Sequence, residues 1–358
     1  MITRNETKAV RVGTLAIGGG APVVIQSMTT TKTTDVAATL QQIRELAAAG
    51  CELVRVAVPD GAAAAALPDI VAASPLPVVA DIHFDYRLAL AALDAGVAKL
   101  RINPGNIGGR ERLAKVVEKA AQKEVPLRIG VNAGSLEKQL LERYGVSPQA
   151  LVESAVSHIR LVERLHYNKL VISLKASSVP LTVAAHRLLA ETVPYPQHLG
   201  ITEAGPVFSG TIHSAVGIGA LLLDGLGDTL RVSLTADPVE EIRVAREILT
   251  AAGVRRFGPR IISCPTCGRC RIDLQQLTGE IAAKLAGIGE PLTLAVMGCA
   301  VNGPGEAREA DLGVAGGKGE GLIFRRGKVV KKVPQEKLVA EFVRMAEELA
   351  GSRKAGQD

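Results

Sequence analysis

Residues 23–252 repeat one pattern eight times: a short β-branched apolar run, a turn, then an Ala-rich amphipathic stretch. The predicted strands are Val23–Met28, Leu53–Val58, Val78–His83, Lys99–Asn103, Leu127–Val131, Leu170–Lys175, His198–Glu203 and Thr229–Leu234. Helical stretches such as Val36–Ala49, Tyr86–Ala95, Arg110–Lys123, Pro148–Leu165 and Val239–Ala252 fall between them, and Gly50 and Gly96 stand where helix C-caps belong. The strands are continuously apolar rather than alternating, as in a sheet covered on both faces. Strand–helix alternation implies parallel βαβ units, and eight of them over this length fit a closed (β/α)8 barrel of the TIM type. An open doubly wound sheet is the rival architecture.

Composition agrees. Aromatics make up 3% of the chain and there is no Trp, so the core is aliphatic. At 358 residues the chain holds a barrel and something smaller. The break is expected at Gly253–Pro259, giving an α/β fold with a barrel over 1–255 and a small α/β domain over 256–358. The second domain reads as strand Arg260–Ser263, helix Leu274–Leu285, strands Thr293–Met297 and Gly321–Phe324, and a closing helix Gln335–Leu349.

Met1 to Lys8 is polar, so no secretory leader is expected. The uncharged stretch Ala204 to Leu223 contains Pro206, His213 and several glycines and hydroxyls, which suits a buried loop and helix better than a membrane span. Net charge is 42 − 36 = +6, but no basic run interleaves with aromatics, which argues against a nucleic-acid partner. The five cysteines are odd in number, so a disulfide framework is not expected and a cytoplasmic location is.

In barrels of this kind chemistry gathers at the C-terminal ends of the strands. There the sequence offers Arg55, Asp81 with His83, Arg101 with Asn103, Arg128 with Asn132, Lys175, Glu203, and Arg231 with Ser233. A buried cation is costly unless paired. The strands supply only Asp81 and Glu203 as matching carboxylates. Five cations converging on one mouth therefore point to a shared polyanion, with two phosphates a better fit than one.

The second chemical cluster is Cys264-Pro-Thr-Cys267, then Cys270, then Cys299 after 29 more residues. This spacing suits a metal and leaves zinc and iron–sulfur open. Cys51 reads as a small buried residue. The stretch Met297-Gly-Cys-Ala-Val-Asn-Gly-Pro-Gly-Glu306 sets a thiol, an amide and a carboxylate in one glycine-rich turn.

The blocks ADIHFDYRLAL, LRINPGNIG, RIGVNAGSLE, LGITEAG, SCPTCGR and VMGCAVNGPGEA resemble those of the bacterial 4-hydroxy-3-methylbut-2-enyl diphosphate synthases of the non-mevalonate isoprenoid pathway, in their two-domain form. The resemblance runs through essentially the whole chain. It implies a barrel joined to a [4Fe–4S] domain and a two-electron reductive opening of 2-C-methyl-D-erythritol 2,4-cyclodiphosphate, with loss of water. It implies Cys264, Cys267, Cys299 and Glu306 as cluster ligands. Arg55, Arg101, Asn103, Arg128, Lys175, Arg231 and Ser233 would contact the diphosphate, and Asn132, Glu203 and Asn302 would lie near the reacting carbons. Glu203 is the candidate proton donor. Flavodoxin or ferredoxin would deliver the electrons. Cys270 departs from the family pattern and leaves a four-thiolate site open; with Glu306 filling the fourth position, Cys270 is expected not to be a ligand. Two readings compete: a zinc-stabilised basic RNA-binding protein, and a redox-inactive phosphosugar transferase with a structural metal.

Chain geometry adds an expectation about assembly. The last barrel helix descends ~20 Å at 1.5 Å per residue. The seven residues Gly253–Pro259 reach at most ~25 Å when extended. A domain tethered that way is expected to cap another chain's mouth, giving a head-to-tail homodimer.

Overall fold

The computed structural model describes residues 1–270, 272–299, 305, 307–317 and 319–354. The chain divides into two compact units, Met1–Arg255 and Arg256–Asp358.

The first unit opens with a hairpin, β1 (Val10–Val12) and β2 (Leu15–Ile17). Eight parallel strands follow: β3 (Val24–Met28), β4 (Leu53–Ala57), β5 (Val78–Asp81), β6 (Lys99–Ile102), β7 (Leu127–Asn132), β8 (Leu170–Lys175), β9 (His198–Leu199) and β10 (Thr229–Leu230). The sheet order is β8-β7-β6-β5-β4-β3-β10-β9. A parallel bridge from Ile172 to Gln197 brings the two ends together, so the sheet is a barrel rather than an open layer. Strands β9 and β10 have two residues each, shorter than their apolar runs suggest, because the chain leaves the ladder for the mouth loops.

The helices are α1 (Val36–Ala49), α2 (Gly61–Ala73), α3 (Tyr86–Asp94), α4 (Arg110–Gln122), α5 (Lys138–Tyr144), α6 (Pro148–Glu163), α7 (Val179–Thr192), α8 (Val207–Leu223) and α9 (Pro238–Ala251). Their starts are set by side chains that satisfy free first-turn N–H groups. Asp35, Asp60, Asp85, Ser147, Ser178 and Asp237 each accept such a bond.

Register-paired residues of parallel strands face the same side, and facing alternates along a strand. Val24, Leu53, Val79 and Val171 cluster with Val10, Val12 and Ile17 of the hairpin, forming an apolar floor to the barrel. Those residues fix which positions point inward. Cys51 is buried as expected, and burial pushes its thiol up to about 11.

Helix α8 corrects the expectation of a buried segment. Its inner face is small, with Gly210, Ser214 and Gly217 beside Ile218 and Leu221. Its outer face exposes Val207, Phe208, Ile212, Val216 and Leu223, Phe208 to 80%. Apolar composition cannot say which of two hydrophobic faces the fold itself covers. Among the described residues no helix is long and apolar enough to cross a membrane.

The second unit is a five-stranded mixed sheet in the order β11 (Arg260–Ser263), β12 (Thr293–Met297), β13 (Leu312–Gly316), β14 (Glu320–Arg325), β15 (Lys328–Pro334). The first three strands run parallel and the last two pair antiparallel. Helix α10 (Leu274–Leu285) and the closing helix Leu338–Lys354 cover it, and Ile281, Leu294, Val296, Ile323 and Phe342 form its core.

Candidate active site

The mouth of the barrel holds a cavity of about 140 Å³ lined by Arg55, Asp81, His83, Arg101, Arg128, Asn132, Ser173, Lys175, Thr202, Arg231 and Ser233. Register explains the convergence. Asp81 pairs with Arg101, Arg101 with Arg128, and Asn132 with Lys175, so neighbouring strands present these side chains to the same interior.

Asp81 is the hub. Arg101 Nη1 donates to its Oδ1 at 2.9 Å, and Arg55 Nε and His83 Nε2 each lie 3.6 Å from its Oδ2. Burial opposes the charge on Asp81, but the His83 hydrogen bond and the positive charges of Arg55, Arg101 and Arg128 hold its carboxyl well below the usual range. Arg55 has few good acceptors. Its Nε and Nη2 rest 3.0 and 2.9 Å from the Met28 thioether, a weak acceptor, and burial lowers its pKa to about 10. Arg128 is 1% exposed, and its Nε and Nη1 have no hydrogen-bond partner. Lys175 is pressed well below an ordinary lysine by burial and by Arg128, Arg55 and Arg231. Two glycines make room for this crowd. A Cβ at Gly200 would stand 3.1 Å from Lys175 Nζ, and one at Gly130 would stand 3.0 Å from Arg101 Nε.

One cation differs from expectation. Arg231 is paired: its Nη2 and Nε donate to Glu241 at 3.1 and 3.2 Å. Glu241 lies on α9, outside the strands, which is why strand ends alone did not reveal it. Ser173 and Thr202 also join the lining without a distinctive sequence signal. Asn103 is buried but absent from the lining; its Oδ1 accepts the Gly105 N–H at 3.1 Å and shapes its own loop. Glu203 is exposed and lies next to the lining residue Thr202. Its φ of 54° is left-handed, a costly conformation for a residue with a side chain and one often retained at functional turns.

The thiols belong to the second unit. Cys264 follows β11 and Cys299 follows β12, and these parallel strands are paired to their ends, Ser263 opposite Val296. The Gly298 N–H donates to Cys264 Sγ at 3.3 Å. The backbone N–H of Arg269 holds the exposed Cys267 thiol below its usual range. Cys270 Sγ donates to Ile272 O at 3.2 Å, packs on the core, and lies beside Gly298, 2.5 Å from where a Cβ there would stand. Soft thiols at adjacent strand ends, with backbone N–H groups aimed at sulfur, fit an iron–sulfur cluster. Among the described residues no three metal-ligating side chains converge. The candidate ligand Glu306 and the candidate site residue Asn302 lie outside the described residues.

Comparison with known proteins returns two family models: the GcpE TIM-barrel domain over residues 7–246 and the GcpE protein C-terminal domain over residues 260–348. The 4-hydroxy-3-methylbut-2-en-1-yl diphosphate synthase (flavodoxin) of Geobacter sulfurreducens is 58% identical over 349 residues, 97% of this chain and 99% of its own length. The protein of the same description from Geobacillus thermodenitrificans is 57% identical over 351 residues, 98% of this chain and 94% of its own. Among solved structures, the dihydropteroate synthase of Yersinia pestis aligns with a TM-score of 0.51 at 12% identity, over 68% of this chain and 98% of its own, a likeness of fold alone.

The charge arrangement predicts opposite responses to two neutralising substitutions. Asp81→Asn leaves Arg55 and Arg101 without their carboxylate and should cost about 3 kcal/mol of barrel stability, the scale of a broken buried pair. Arg128→Ala relieves like charges and should leave stability unchanged or higher. Urea unfolding followed by circular dichroism, without phosphate in the buffer, measures both.

Proposed function

Because the chain belongs to the GcpE family, the 4-hydroxy-3-methylbut-2-en-1-yl diphosphate synthases, we propose that it converts 2-C-methyl-D-erythritol 2,4-cyclodiphosphate to (E)-4-hydroxy-3-methylbut-2-enyl diphosphate in isoprenoid biosynthesis. The balance is one cyclic diphosphate, two electrons and two protons in, one linear diphosphate and one water out. The observation that carries this reading is the under-satisfied cationic cavity at the barrel mouth.

A diphosphate supplies the acceptors that Arg55, Arg128 and Lys175 lack. Arginine forks take two phosphate oxygens at once, and these groups would stabilise the charge left on phosphate as the ring C–O bond breaks. Ser233 would donate a further hydrogen bond, Asn103 would set the loop beside the ligand, and Arg231, held by Glu241, would be pre-oriented. Asn132, with Asn302, would orient the carbon skeleton. Glu203 would hold the proton that leaves with the departing hydroxyl. Cys264, Cys267, Cys299 and Glu306 would hold a [4Fe–4S] cluster, which when bound would relay the two electrons one at a time from the external donor. Flavodoxin is the electron donor we favour, since the relatives carry it in their description. Free thiols suit a cytoplasmic setting.

We also propose a head-to-tail homodimer in which one chain's cluster unit serves its partner's barrel. The short linker between α9 and β11 supports it, and so does the exposed apolar face of α8, which a second copy could cover.

Three experiments test these readings. Anaerobic turnover of the cyclic diphosphate with a strong one-electron donor should give the linear product and water; turnover that needs no reductant would overturn the reductive reading. Cys270→Ser should keep iron content and visible absorption near wild type, and cluster loss in that variant would make Cys270 a ligand. Mixing Arg128→Ala chains with Cys299→Ser chains under subunit exchange leaves half the dimers mixed, each with one intact site. Activity should then recover to about a quarter of wild type. No recovery despite demonstrated exchange would mean that each chain completes its own site.

A further inference from the structure

Beneath the mouth, the barrel interior holds a group that the proposed reaction does not use. Lys99 pairs in register with Val79, a floor residue, so its side chain points inward. It lies two residues before Arg101, about 7 Å lower along β6. It is 0% exposed and its Nζ has no hydrogen-bond partner. It is not among the residues lining the mouth cavity.

Its surroundings are unusual for a lysine. Gln26 is inward by its register with Leu53, and both its amide atoms are unpartnered. His198 is inward by its register with Thr229, which pairs in turn with the floor residue Val24, and its Nε2 is unpartnered. The titratable or charged groups facing this interior are Arg55 on β4, Asp81 on β5, Arg101 above Lys99 on β6, Arg128 on β7, Lys175 on β8 and His198 on β9, with Arg231 after β10 at the mouth. Floor residues Val24, Leu53 and Val171 and the hairpin contribute only apolar side chains. Asp81 is engaged by Arg101 and Arg55, and Glu241 by Arg231, so neither carboxylate serves Lys99.

We propose that Lys99 is a positioning residue: it stays an uncharged amine while the mouth is empty and takes up a solvent proton when a diphosphate is seated above it. This rests on the diphosphate reading of the mouth. An ammonium sealed among arginines without an anion is strongly disfavoured, whereas an amine keeps only a modest hydrogen-bonding need. Burial first, then Arg128 and Arg55, push this lysine well below its ordinary range. A unit negative charge placed roughly 9 Å away at an effective dielectric near 20 raises proton affinity by about twentyfold, and a diphosphate brings at least two such charges. The ammonium then adds a positive charge under the ligand at a depth no ligand atom needs to reach. Substrate affinity thereby becomes linked to pH through a residue outside the contact shell.

The test is isothermal titration calorimetry of the holoenzyme with inorganic diphosphate at pH 8, in two buffers of different ionisation enthalpy, for wild type and Lys99→Met. Wild type should take up at least half a proton more per diphosphate than the variant. The variant should bind about tenfold more weakly and melt at an equal or higher temperature. Lys99→Gln repeats the test should the methionine variant fail to fold. Equal proton counts in wild type and variant, with diphosphate bound by both, would overturn the role of Lys99 and leave the diphosphate reading standing. No diphosphate binding by wild type would overturn that reading and this inference with it.

Discussion

The barrel is organised around positive charge that it cannot neutralise by itself. Arg55, Arg101, Arg128, Lys175 and Lys99 are buried in one interior, and Asp81 is the carboxylate among them. Charges in a protein interior are tolerated when paired and costly when not. The local structure is shaped to tolerate the imbalance. Glycines at 130 and 200 leave volume for the long side chains. The Met28 sulfur offers a weak acceptor to the guanidinium groups of Arg55 and Arg231, and Glu241 reaches over from α9 to fix the second of them. On the proposed reading a polyanion would complete the balance, its binding energy deriving from charges that the fold has already gathered.

The strand scaffold makes that gathering possible. Parallel register fixes which residues share the interior, so Asp81, Arg101 and Arg128 follow one another around the wall without any loop having to place them. The hairpin β1–β2 closes the other end with Val10, Val12 and Ile17, which keeps water from screening the cations from below. Sites built on strands hold their geometry better than sites built on loops. Of the residues proposed to lie near the reacting carbons, Asn132 shares this by ending β7, and Glu203 does not. Glu203 sits in a left-handed turn and is exposed.

Much of this was legible in the sequence, for a physical reason. A strand buried on both faces reads as continuous apolar residues, so Arg55 within LVRVAV or Lys175 within VISLKAS stands out at once. The eightfold repeat then brings those positions to one mouth. What could not be read depends on partners distant in the chain. Glu241 looks like any first-turn acid on a surface helix until α9 is packed on β3 and the carboxylate reaches Arg231. Asn103 looks like a ligand contact, yet its Oδ1 is used by Gly105. Lys99 reads as the polar start of a strand, since nothing in sequence reports that an amine will lack a partner. Strands β13 and β15 escaped because one is split by glycines and the other is rich in lysine, patterns that only cross-strand pairing turns into a sheet.

The thiols follow a different logic, in which position in the sheet decides role. Cys264 and Cys299 follow neighbouring parallel strands, and past the end of the second the free Gly298 N–H turns to the Cys264 sulfur. Cys267 lies in the loop that follows and is exposed, with its thiol favoured toward the thiolate. Cys270 is three residues further on; it packs on the same core as Cys264 and differs from it in donating to a carbonyl, that of Ile272. A thiol that donates a hydrogen bond into its own core acts as a small apolar side chain, whereas one that accepts backbone N–H groups is prepared to carry negative charge. Counting cysteines by spacing treats the four alike. The hydrogen bonds of Cys264, Cys267 and Cys270 differ, and on the proposed reading that difference would leave Cys270 outside the ligand set.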